Sequence, residues 1–142
     1  MNPTDQHIRE IAELLECDLL CFFHKQTGEI KHYPNPDNAF FEIEFWQEII
    51  DSIEAERSNY FSFEVMSSYQ KFQVMENFAY SISNENDRHN LISVLSNAKP
   101  FRNFKQAIKR SVYLQDWYNF QKEAYIQWVK KQLYIQISLN DD

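Results

Sequence analysis

One glycine, Gly28, serves the whole 142-residue chain. That scarcity excludes several nucleotide and acyl-transfer devices. The phosphate-cradling P-loop and the dinucleotide fingerprint each need at least two glycines, and so does the G-x-S-x-G nucleophile elbow. Cysteine is almost as rare, with only Cys17 and Cys21. Within one extended strand they would stand about 13 Å apart, beyond the ~7 Å that a disulfide spans. No CxxC or HxxxH pair is present to build a zinc site, so the reading implies no cofactor and a reduced, cytoplasmic setting. No apolar run approaches the ~20 residues that cross a bilayer. The opening Met1-Asn2-Pro3-Thr4-Asp5 has neither the cations nor the apolar stretch of a signal peptide.

Positive charge is scarce in the first two-thirds. Residues 1–97 carry 6 Lys/Arg against 17 Asp/Glu, whereas residues 98–142 carry 8 against 4, for an overall −7. A protein this acidic is repelled by nucleic acid and anionic membrane at long range, so neither is an expected partner. A local basic face still acts at short range, because screening works over about 10 Å.

What the chain does have is aromatic mass. Its 12 Phe, 8 Tyr and 3 Trp supply apolar surface that a disordered chain lacks, and the length suits a single globular domain over 1–142. Ile8, Ile11, Ala12 and Leu15 recur at helical spacing, predicting a helix over 4–16 capped by Thr4 or Asp5. Leu19-Leu20-Cys21-Phe22-Phe23 has strand length. Lys25-Gln26-Thr27-Gly28 reads as a turn, with Gly28 supplying a positive φ, and Glu29–Tyr33 returns as the second strand of a hairpin over 18–33. Trp46, Ile49, Ile50 and Ile53 share one face of a helix over 40–57, with Glu44, Glu48 and Asp51 nearly opposite. A third strand is expected over 60–65, where Phe61, Phe63 and Val65 alternate. Ser67-Ser68-Tyr69-Gln70 resembles a capping box ahead of a helix bearing Phe72, Met75, Phe78, Ala79 and Ile82. Leu91, Ile92, Val94 and Leu95 mark another, Pro100 opens a short one, and a long one runs from Leu114 past Trp128. The tail 133–139 alternates at strand period and fits either a fourth strand or a helix end. The fold class is α+β: a small, mostly antiparallel sheet of three or four strands packed by five or six helices.

Four groups of residues bear on chemistry. Around residues 99–110, Phe101, Phe104 and Ile108 fall on one side of a helix, and Arg102, Lys105 and Lys109 fall together beside them, with Arg110 following. The plain reading has these cations paired with acids such as those of the second helix. The sharper reading is a contact face for an acidic protein segment or a phosphate-bearing ligand. If Lys25–Gly28 turn the hairpin, Cys21 stands opposite His32, close enough to share a metal. Zinc needs three or four ligands, so the plain reading is a buried thiol beside a half-exposed histidine, with no metal site. The many paired carboxylates lie on solvated helix faces, and His7 and His89 in polar helical context. Tyr118, Tyr125 and Trp128 read as packing rather than as a base-stacking platform.

Pro100-Phe101-Arg102-Asn103-Phe104-Lys105, followed by Trp117-Tyr118-Asn119-Phe120 and Trp128, resembles the small bacterial uncharacterised protein family 0158. Thr27-Gly28-Glu29-Ile30 resembles the family's N-terminal part and the Phe61–Phe63 strand its middle, so the likeness covers about 7–132. Members often carry a second arginine where Asn103 stands, and a glycine-bearing turn where Asn97-Ala98-Lys99 stands. The resemblance implies a stand-alone bacterial cytoplasmic protein and carries no catalytic residue. The expectation is a non-enzymatic interaction module that uses the basic face. Its alternatives are a metal- or thiol-dependent enzyme on the hairpin, and a homodimeric structural protein joined through surplus aromatics.

Overall fold

The computed structural model describes residues 1–38 and 40–140, the side chain of Asn140 excepted. Contacts group the chain into two compact units, Met1–Val65 with the chain from Tyr125 onward, and Met66–Ala124. The α+β expectation holds, with six α-helices and a three-stranded antiparallel sheet among the described residues.

The first unit opens with α1 (Asp5–Glu16). A reciprocal capping box starts it: the Thr4 side chain accepts from the His7 amide, and the His7 ring accepts from the Thr4 amide. Asp18 follows at φ 64, in the left-handed region that Asp tolerates better than most residues. Its carboxylate accepts from the side chains of Asn35 and Asn38, fastening the far end of the hairpin. Strands β1 (Leu19–His24) and β2 (Ile30–Pro34) pair as the sequence predicts, with Cys21 opposite His32. Gly28 sits at φ 74, so the sole glycine occupies the one turn position that needs it.

β3 (Tyr60–Phe63) pairs with the other side of β1, giving the order β2-β1-β3. β1 is therefore central and covered on both faces, which is why its sequence is an unbroken apolar run rather than an alternation. Phe22, Tyr33 and Tyr60 pack with Ile53 of α2 (Ile43–Ala55), flanked by Trp46, Ile49 and Ile50. The opposite face meets α1: the His7 ring lies 5.0 Å from that of Phe23, and the Cys21 thiol donates to the Ile11 carbonyl.

The second unit holds α3 (Ser68–Ser81), α4 (Glu85–Ser96) and α5 (Pro100–Lys109). The Ser67–Gln70 capping box forms in both directions. Phe78, Phe104 and Trp117 make edge-to-face contacts 5.0–5.3 Å apart in a core that also contains Met75, Leu91, Leu95 and Ile108. α6 (Leu114–Asn140) begins in this unit and ends in the first. The tail left open between strand and helix is thus helical. Its apparent alternation includes Gln136, whose role is set by β3 rather than by a solvent boundary. No helix among the described residues is long and apolar enough to cross a membrane.

Candidate functional site

Charge separates along the division into units. The second holds 8 Lys/Arg against 5 Asp/Glu, a net of +3, and the rest of the chain holds 6 against 16, a net of −10. Three of the second unit's cations lie on α5 and two more, Lys99 and Arg110, cap it. Phe104 and Ile108 are buried beneath that helix, whereas Arg102, Lys105, Lys109 and Arg110 are exposed. No ion pair holds any of the four among the described residues; the pairs formed there are His24–Glu56 and Arg57–Glu54. Lys99, at φ 51, turns the chain into the helix, Pro100 takes the first position, and the Asn103 side-chain Nδ2 donates to the Ala98 carbonyl. Arg102 to Arg110 spans eight rises, about 12 Å, as a cationic ridge.

The hairpin pair is arranged differently. Cys21 and His32 are cross-strand neighbours, yet the thiol turns to the carbonyls of Ile11 and Leu19, at 3.9 and 3.6 Å. Burial, with a smaller contribution from Glu10, pushes the Cys21 pKa up to about 12. At neutral pH that group is a thiol, and the thiolate is the nucleophile and metal ligand. The His32 ring lies 6.4 Å from that of Trp46, and its Nδ1 is buried without a hydrogen-bond partner. Among the described residues no group of three or more His, Cys, Asp or Glu side chains is placed to hold a metal ion.

Three features escaped the sequence. His24 is only 8% exposed; its Nδ1 accepts from the amides of Gln26 and Thr27, clasping the hairpin turn. A cleft of about 670 Å³ in the second unit has Phe78, Ile82 and Phe120 at its apolar side and Asn84, Asp116 and Asn119 at its polar side. Nearby, the Tyr113 hydroxyl donates to Asp87 at 2.6 Å, a bond that raises its pKa.

The third is the outer edge of β3. Ser62 N–H donates to Gln136 Oε1 at 2.8 Å while Gln136 Nε2 donates to the Ser62 carbonyl at 2.7 Å. Gln132 repeats the exchange with Glu64, whose carbonyl also accepts from Trp128 Nε1. Each glutamine amide offers one donor and one acceptor, as a neighbouring strand would, so the edge is covered. The spacing Trp128, Gln132, Gln136 puts all three on one helix face, a legible signal only once β3's edge is known to need it. His7, in a polar helical context by sequence, is half-buried through its cap and its contact with Phe23; His89 is exposed. Tyr125 is buried, Tyr118 is half exposed, and Trp128 is half-buried.

The family model described as Uncharacterised protein family (UPF0158) matches residues 22–141. Neither the curated proteins nor the solved structures compared contain a match.

Proposed function

Because the chain belongs to the uncharacterised protein family UPF0158, whose description assigns no chemistry, we propose from the site itself that it is a non-enzymatic interaction module. Its α5 ridge holds an acidic segment of a partner protein. The observation that carries this reading is three exposed cations on α5 and a fourth, Arg110, at its C-cap, none engaged in an ion pair among the described residues. An acidic segment is favoured over a small phosphate-bearing ligand because the cations are strung along about 12 Å of helix rather than gathered in a described cleft. Neither cleft found in the structure is lined by any of them, and a phosphate requires convergent donors.

The contact is weak by construction. Exposed pairs contribute about 0.2–1 kcal/mol each, so four give roughly 1–4 kcal/mol, corresponding to about millimolar affinity at the upper end and weaker below it. Such binding is transient and salt-sensitive. The test is fluorescence anisotropy with a labelled oligoglutamate peptide at low and moderate salt. The triple variant R102E/K105E/K109E is expected to abolish binding while keeping the thermal transition. Binding equal to that of the wild type, or loss of the transition in the variant, sinks the reading. Pyrophosphate competing more strongly than oligoglutamate would transfer the ridge to phosphate ligands.

A further inference from the structure

The two edges of the sheet are treated in opposite ways. β3's outer groups are taken by Gln132, Gln136 and Trp128, whereas β2's are not taken by any described residue. The register fixes which groups these are. His24 N–H donates to Glu29 O and Asn35 N–H to Asp18 O, so Lys31 and Tyr33 spend their backbone bonds on β1 while Ile30, His32 and Pro34 point theirs outward. Pro34 has no N–H, so the open edge presents two amides and three carbonyls, enough for about five residues of an added strand.

This edge forms one wall of a cleft of about 400 Å³ whose other wall is α2, with Glu48 and Ser52 facing Glu29–His32. The cleft has a sign. Lys31 is already occupied, its ammonium donating to Ser52 Oγ at 3.0 Å. Glu29 and Glu48 are exposed, and no ion pair among the described residues engages either carboxylate. We infer that the cleft between the β2 edge and α2 accepts an extended, lysine- or arginine-bearing segment of a partner protein as a fourth strand. Backbone bonds to Ile30 and His32 supply the pairing, and Glu29 and Glu48 select the basic side chains. This site is separate from the α5 ridge and of opposite charge.

The test begins with amide exchange in the free full-length chain: Ile30 and His32 should exchange quickly, Lys31 and Tyr33 slowly. Random octapeptides displayed on phage are then selected on the full chain. Enriched peptides are expected to carry Lys or Arg and to slow exchange at Ile30 and His32. They should bind at least tenfold more weakly to His32→Pro, which removes an outward N–H and leaves the β1–β2 bonds intact, as Pro34 already does. The double variant E29Q/E48Q should weaken them similarly without touching the edge. Four results overturn the inference: protected Ile30 and His32 amides in the free monomer, no enriched peptide, enriched peptides indifferent to both variants, or a concentration-dependent dimer that His32→Pro abolishes. The last would give the edge to a second copy of the chain. Should His32→Pro fail to fold, the exchange measurements and the double variant still decide.

Discussion

Replacing Gln136 by alanine strips the outer edge of β3 of two hydrogen bonds at 2.7 and 2.8 Å, leaving the amide and carbonyl of half-buried Ser62 without their partner. A net intramolecular hydrogen bond contributes about 1 kcal/mol, and an abandoned buried group costs about 1–3 kcal/mol. Because water can approach this partly open edge, the expected loss is about 2 kcal/mol. Gln132→Ala, at the more exposed end, should cost about 1 kcal/mol. Alanine is the better helix former, so α6 itself gains a few tenths of a kcal/mol and cannot be the source of the loss. Gln136→Glu separates donor from acceptor. It keeps an oxygen for the Ser62 amide but sets a carboxylate against the Ser62 carbonyl, and should be the worst of the three at neutral pH. Urea unfolding of each full-length variant reads these differences, and melting should fall by roughly 3–5 °C per kcal/mol. A Gln136→Ala variant within about 0.5 kcal/mol of the wild type, at unchanged denaturant slope, would refute the claim that these amides act as a substitute strand.

Native thiol titration at pH 8 should find one fast-reacting cysteine, exposed Cys17, with buried Cys21 reacting only on denaturation; two fast thiols would show that the first unit opens readily. Gly28→Ala should cost about 1–2 kcal/mol from the positive φ, since the new Cβ, 2.9 Å from Met1 Sδ, meets only the end of a flexible side chain; an unchanged urea midpoint would contradict this. Burial, aided by Glu16, Asp18 and Cys17, raises the Tyr125 phenol from 10.0 to about 12. The folded state therefore favours the neutral phenol, a contribution intact below about pH 10 and lost as pH rises towards 12. Tyr125→Phe should flatten the fall of stability across that window, and urea midpoints that drop equally in both proteins would exclude the phenol as a cause.

Local chemistry made much of the fold readable. The hairpin register followed from one glycine and its turn, because pairing with a short turn leaves a single alignment that keeps Phe22 and Tyr33 on one face. The Ser67–Gln70 capping box and the Thr4 cap were written in nearby residues, though the His7 half of the first box was not, and the cationic ridge of α5 needed only a 100° rotation per residue. The C-terminal end of α6 was harder. A tail alternating polar and apolar residues at 133–139 satisfies strand and helix equally until a partner is present, and local periodicity contains no partner.

Sequence alone determined the α+β class, the helix starts, the Cys21–His32 pairing and the separation of charge, all properties of residues near one another along the chain. Tertiary structure decided that the Cys21 thiol faces the carbonyls of Ile11 and Leu19, and that among the described residues the α5 cations form no ion pair and one edge of the sheet is covered while the other is open. Those outcomes depend on groups far apart in sequence: Ser62 and Gln136 are 74 residues apart. A hydrogen-bond edge is filled or empty only once the fold has chosen which distant side chain lies beside it.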